Sequence, residues 1–85
     1  TMSIKELRRA LKEEKLIFGT KETLRRLKKG TVKKVFISSN CPTRVKADIK
    51  HLSTLSNIEV VELDQPGNEI ALLCKKNYSV SVLSY

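Results

Sequence analysis

Apolar positions along the chain alternate between helical spacing and short unbroken runs. Ile4, Leu7 and Leu11 fall on one face of a segment that carries Arg8, Arg9 and Lys12 elsewhere, which predicts a helix over about Ser3 to Glu14. Its start, Ser3-Ile4-Lys5-Glu6, has the form of a capping box, with Ser3 as N-cap and Glu6 reaching back. Leu16-Ile17-Phe18, ended by Gly19, reads as a brief strand. Thr20 is the N-cap candidate of a second helix, Lys21 to Lys29, closed by Gly30. Leu24 and Leu27 give that helix a narrow apolar seam, and Lys21, Arg25 and Lys28 a basic stripe at i, i+4, i+7. Lys34-Val35-Phe36-Ile37-Ser38 is β-rich without alternation, as expected of a central strand covered on both faces.

Asn40-Cys41-Pro42 breaks the chain and starts a third helix, on which Val45, Ile49, Leu52 and Leu55 recur at amphipathic spacing. Ile58 to Leu63 reads as a strand, Gln65-Pro66-Gly67 as a turn and Asn68 to Cys74 as a short fourth helix. Ser79-Val80-Ser81-Val82-Leu83 alternates and reads as the last strand. The order α-β-α-β-α-β-α-β, without repeats or a linker, implies an α/β fold with helices on both faces of one sheet. A chain of 85 residues is room for one domain, 1–85, in which nearly every apolar residue must serve the core. Thr1, ahead of Met2, reads as an addition from expression.

Charge changes the picture most. Seventeen Lys and Arg against nine Asp and Glu give +8, and the excess is lopsided. Residues 1–50 carry fifteen basic and five acidic side chains, whereas residues 51–85 carry two and four. Such asymmetry suggests a polyanionic partner met by one region of the protein; the alternative is a merely soluble basic surface. No apolar run approaches a membrane span and no signal-peptide pattern opens the chain. Cys41 and Cys74 lack zinc-site spacing, and with His51 as the single histidine no metal set is expected. Reduced thiols fit a cytoplasmic location.

A search for catalytic chemistry finds little. Asp48 and His51 stand i, i+3 on the third helix and read as a solvated pair. No G-x-S-x-G elbow and no glycine-rich phosphate loop occurs. The informative segment is the junction Phe18-Gly19-Thr20-Lys21-Glu22-Thr23-Leu24-Arg25, where a glycine turn delivers the chain into a helix N-terminus. First-turn amides and the positive dipole end suit phosphate. Glu22, a carboxylate among cations, either complements the helix dipole or accepts hydrogen bonds from a base edge such as guanine.

Gly19-Thr20-Lys21-Glu22-Thr23, followed by Leu24 and the basic run to Gly30, resembles the signature of the kink-turn-binding family that includes the ribosomal proteins L7Ae and L30e and small bacterial relatives. Ser39-Asn40-Cys41-Pro42 and the basic helix after it look most like the L30e branch. Ile70 to Ser84, with Tyr78-Ser79-Val80-Ser81-Val82-Leu83-Ser84, resembles the family's last helix, loop and strand. The resemblance implies a three-layer α/β/α sandwich with one mixed four-stranded sheet. It also implies a non-catalytic protein, without cofactor, whose second-helix N-terminus enters the groove of an RNA kink-turn and contacts sheared guanine–adenine pairs. Carried over by motif position, those contacts fall on Lys21 and Glu22, with Arg25 one turn on and Lys28 beyond it. Gly19 and Thr20 supply backbone approach, Asn40 lies on the same candidate surface, and Lys75, Lys76, Asn77, Tyr78 and Ser79 pack on the RNA from the other side. Tyr78 would stack on a base, unless its ring is partly buried at the sheet edge.

This chain departs from the family at several positions. Many members have Asn where it has Lys21, and those that hold a flipped-out nucleotide have an acidic residue where Cys41 stands. Ala71 and Lys75 replace glycines usual around the fourth helix, and Lys75 and Lys76 make that loop more basic. The implied partners are structured RNA, ribosomal or small non-coding, and other ribonucleoprotein subunits, with a monomer in the absence of RNA. The competing reading is a protein-interaction module that keeps the fold without specific RNA recognition; intact Gly19, Thr20, Lys21 and Glu22 argue against it.

Overall fold

In a computed structural model, which describes residues 2–85 and side chains from Ile4 onward, helices and strands alternate strictly. The order is α1 (Met2–Glu13), β1 (Ile17–Phe18), α2 (Thr20–Lys29), β2 (Lys34–Ile37), α3 (Thr43–Ser56), β3 (Glu59–Glu62), α4 (Gly67–Leu73) and β4 (Val82–Ser84). The four strands form one sheet in the order β1-β4-β2-β3. β2 and β3 run parallel, joined by the α3 crossover, whereas β4 inserts antiparallel between β1 and β2. The sheet is therefore mixed.

Two clusters of buried side chains lie on opposite faces of this sheet. Phe36, Val61 and Leu83 point to one side and meet Leu7 and Ala10 of α1 and Ile70 and Ala71 of α4. Val35, Ile37 and Val82 point to the other and meet Leu27 of α2 and Ile49 of α3. The architecture is the three-layer α/β/α sandwich with a mixed four-stranded sheet. Burial on both faces accounts for the unbroken run Val35-Phe36-Ile37, every member of which is fully buried. Gly30 closes α2 in the left-handed conformation (φ 73°), where its own N–H and that of Thr31 return to the carbonyls of Leu27 and Arg26.

Several expectations are corrected. α1 begins at Met2, so Ser3 stands inside its first turn, and the Ser3 side chain lies outside the described residues. The Glu6 carboxylate, whose expected partner Ser3 has its side chain outside the described residues, pairs with Lys34 Nζ at 3.2 Å, tying α1 to β2. Burial disfavours the Lys34 charge, but Glu6 and Glu59 outweigh it and hold the ammonium pKa above its ordinary value. Thr20 is the first helical residue rather than the cap, a place taken by Gly19. Leu55 does not continue the apolar stripe of α3: it is 72% exposed, and Ser53 is buried in its stead. At 3.6 residues per turn Leu55 stands roughly 120° from Ile49, whereas Ser53 stands about 40° from it. The last strand runs Val82–Ser84, not Ser79–Leu83, and all three residues are buried because strands flank it on both sides and helices cover both faces.

Gly67 opens α4 with no room for a side chain. A Cβ there would stand 2.4 Å from Ser79 Oγ and 3.0 Å from the Val80 carbonyl oxygen, which belongs to the backbone and cannot rotate away. Gly67→Ala is expected to cost about 1–3 kcal/mol, the usual size of an overpacking strain. The measurement is a urea titration, in which the midpoint falls while the m-value stays unchanged.

Candidate nucleic-acid interface

Backbone pairing gathers four loops at one end of the sheet. Gly19 N–H donates to Val82 O at 3.0 Å, and Ser38 N–H donates to Ser81 O at 2.9 Å. Val80 N–H donates to Gly67 O at 3.1 Å, and Ser39 N–H to Gln65 O at 2.9 Å. The entry into α2, the β2–α3 loop, the start of α4 and the run into β4 therefore share one edge of the molecule.

Gly19 sits at φ 112°, ψ 148°, a conformation that L side chains rarely adopt, and no side chain caps the helix that follows. The first intrahelical bond, Thr23 N–H to Gly19 O, leaves the amides of Thr20, Lys21 and Glu22 facing outward. Thr23 faces inward, where its hydroxyl and that of Ser84 lie 3.1 Å apart, fully buried, and either can donate. This pair anchors the first turn of α2 to β4 and fixes the direction in which its outward face points.

On that outward face Glu22 is held by two guanidinium groups. Arg25 Nη2 and Arg26 Nε both contact Glu22 Oε1, the latter at 3.3 Å, so both ion pairs fall on one carboxylate oxygen. The hydrogen bond from Arg25 chiefly holds the Glu22 pKa below the ordinary carboxylate range, against a smaller opposing effect of burial. With a depressed folded pKa, this pairing favours the folded state above the ordinary carboxylate value and is lost as pH falls through the lowered one. At neutral pH Glu22 is an anion that can only accept. Arg26 was absent from the sequence-derived site; its signal was the Glu-to-Arg i, i+4 spacing.

The other expected residues are placed differently from one another. Lys21 and Arg25 are exposed beside Glu22, with Thr20 half-buried. Lys28, two turns on, lines a shallow cleft against Asp48 and His51 of α3 and lies apart from the helix start. Asn40 has a scaffold role: its Oδ1 accepts from Ser38 Oγ and from Gly67 N–H, both at 2.9 Å, stitching the β2–α3 loop to α4. Cys41 is buried in the core between α2 and α3, where burial pushes its thiol pKa up and keeps it protonated.

The loop after α4 forms the far wall. Lys76 Nζ lies 4.5 Å above the Phe18 ring, which places its charge next to the Gly19 turn. Tyr78 is 53% exposed, so about half of its surface is open to a ligand. Together with Asn77, Ser79 and the exposed Leu72 of α4 it lines an open cleft of about 340 Å³. Among the described residues no group of His, Cys, Asp and Glu could hold a metal, and no helix is long and apolar enough to cross a membrane.

Residues 2–85 match the family described as Ribosomal protein L7Ae/L30e/S12e/Gadd45. The chain is 38% identical over 79 residues to the large ribosomal subunit protein eL30 of Saccharolobus solfataricus, covering 93% of this chain and 73% of the relative. It is 40% identical over 78 residues to eL30 of Sulfolobus acidocaldarius, covering 92% and 75%. To eL30 of Methanocaldococcus jannaschii it is 33% identical over 79 residues, covering 93% and 72%. Among solved structures, a protein of unknown function from Bacillus halodurans superposes with a TM-score of 0.77 at 17% identity, covering 88% of this chain and 74% of that one, a likeness of fold alone.

Lys75 ends α4 in the left-handed conformation, φ 59°, where a glycine would be unstrained. Lys75→Gly relieves about 1–2 kcal/mol of steric cost, offset by the ~0.4–1 kcal/mol of extra freedom that glycine has in the unfolded chain. A net gain of roughly 0.5–1 kcal/mol in denaturation experiments is expected from these opposing effects.

Proposed function

The chain belongs to the Ribosomal protein L7Ae/L30e/S12e/Gadd45 family, and from that premise we propose that it binds a kink-turn in ribosomal RNA through the N-terminus of α2. The family is one of ribosomal proteins rather than enzymes, and the chain is not an enzyme. The observation that carries the finer reading is the anion within the cationic helix start. A surface built only to attract phosphate gains nothing from Glu22. A surface that reads the guanine edge of a sheared guanine–adenine pair needs an acceptor there.

In this reading Arg25 and Arg26 hold the Glu22 carboxylate by Oε1 and leave Oε2 for the base. They also offset the repulsion between Glu22 and the RNA phosphates. Lys21 and the outward amides of the first turn take phosphate or a base edge. Lys76 approaches from across the Gly19 turn, and Tyr78 stacks on a base. Lys28 and Asn40 act at the margin, the first as a distant cation and the second through the loop that it fixes. In this reading the protein works in the cytoplasm within the large ribosomal subunit, residues 1–85 form one RNA-binding domain, and the protein is a monomer without RNA.

Glu22→Gln is expected to weaken binding to a kink-turn by ~1–3 kcal/mol, the size of one good base contact, while binding to plain duplex RNA stays the same or tightens. The measurement is the ratio of the two affinities at one fixed salt concentration. An unchanged ratio would reduce Glu22 to a partner of the helix dipole and sink specific recognition at this turn. Tyr78→Ala is expected to lose ~1–3 kcal/mol of RNA affinity by removing a base stack. Its melting temperature should barely move, since the ring is exposed; a large drop in melting temperature with full affinity would assign the ring to the fold.

A further inference from the structure

The outward face of α1 lies outside the site described above. Lys5, Arg8 and Lys12 recur there at i, i+3, i+7, and all three are exposed. Arg9, on the same helix, pairs with Glu13, so it is partly neutralised. Across from Arg8 and Lys12 the end of α4 brings Lys75, over a cleft of about 540 Å³ floored by Leu11 and Leu73. Such a floor accommodates the aliphatic stems of long cations and leaves their heads at the rim. The next residue, Lys76, reaches the Phe18 ring beside Gly19. Cations therefore stand beside the Gly19 turn, at the end of α4 and along α1.

The geometry points to this band as a second RNA contact, which takes the sugar–phosphate backbone of the stem that leads away from the kink-turn. The inference rests on the kink-turn reading and extends its footprint. Lys5 to Lys12 covers about 10 Å of helix, which spans roughly three phosphates of one strand at ~3.4 Å each along a duplex axis. Exposed cations at one-turn spacing without fixed carboxylate partners suit a phosphate ladder and carry no base readout. Three of the seventeen basic residues stand on this face of α1 and have no part in the α2 turn described above.

The test compares two kink-turn RNAs that differ only in stem length, one trimmed at the kink and one extended by a full helical turn. Wild type is measured against the triple variant Lys5→Gln, Arg8→Gln, Lys12→Gln over a salt series, with Lys75 left in place because it belongs to the kink-turn site. A control variant, Lys29→Gln, Lys33→Gln, Arg44→Gln, removes the same formal charge elsewhere. On the long-stem RNA the first variant should lower the log–log salt slope by about 2 to 3, at ~0.9 per lost phosphate contact. On the trimmed RNA its slope should match wild type, and the control should shift neither. Equal slopes on both RNAs, or equal behaviour of the two variants, would overturn the inference. Capture of a separate duplex in trans by the same three residues would assign the band to a second RNA and overturn it also. A wild type that does not prefer kink-turn over duplex sinks the underlying reading together with this one. A retained preference with unchanged slopes sinks only this one.

Discussion

β4 is the constraint on which the rest of the structure depends. Three residues near the chain's end, Val82–Ser84, insert between β1 and β2 and pair with both. A strand in that position has every backbone group committed, and its side chains are buried whichever way they point. It is also the common anchor of the functional surface. Val82 receives the Gly19 amide, and Ser81, just ahead of the strand, receives the Ser38 amide. Ser84 meets Thr23 inside the core. Each of these contacts joins residues at least 43 positions apart, so the sheet must close before the α2 helix start has a fixed direction.

The backbone of this surface is tied down by hydrogen bonds to distant segments. Gly19 and Gly67 stand at the two points where backbone approaches backbone or turns against its usual preference. Asn40 completes the frame with a single oxygen that accepts two hydrogen bonds. The groups without such duties are the first-turn amides of α2, Lys21, one oxygen of Glu22 and the exposed part of Tyr78. In the proposed reading, a carboxylate between two arginines keeps an acceptor's chemistry inside an attractive field, which speeds encounter while the carboxylate selects among what arrives.

The two ends of α4 show how this chain treats backbone freedom. At its start, Gly67 is demanded by packing against Ser79 and Val80. At its end, Lys75 occupies a left-handed position that a glycine would fill without strain. The strain accompanies a gain in charge, since Lys75 faces the basic rim formed by α1. A local stability cost in exchange for a cation at a surface rich in cations is consistent with selection for a polyanionic partner rather than for the fold.

The sequence alone determined the elements, their order and the chemistry of the α2 junction. Hydrophobic period and helix-stopping residues such as Gly30 are local properties, so eight elements were legible to within a few residues. The family motif added the sandwich. What the sequence could not settle were the places where a distant partner decides. Glu6 had a plausible local role beside Ser3 but found Lys34, whose position depends on the sheet. Leu55 follows Leu52 by three residues yet lies in water, because at 3.6 residues per turn it stands roughly 120° from Ile49, off the buried face. Asn40 also fastens two loops through its Oδ1, a role that the sequence did not show. The final strand read as alternating because its half-buried Ser81 precedes it, whereas its own residues are buried on both faces by neighbours that only the closed sheet supplies. Local rules operate over one or two turns of chain; register, burial and the choice of ion-pair partner are settled by segments that meet only after the sheet has formed.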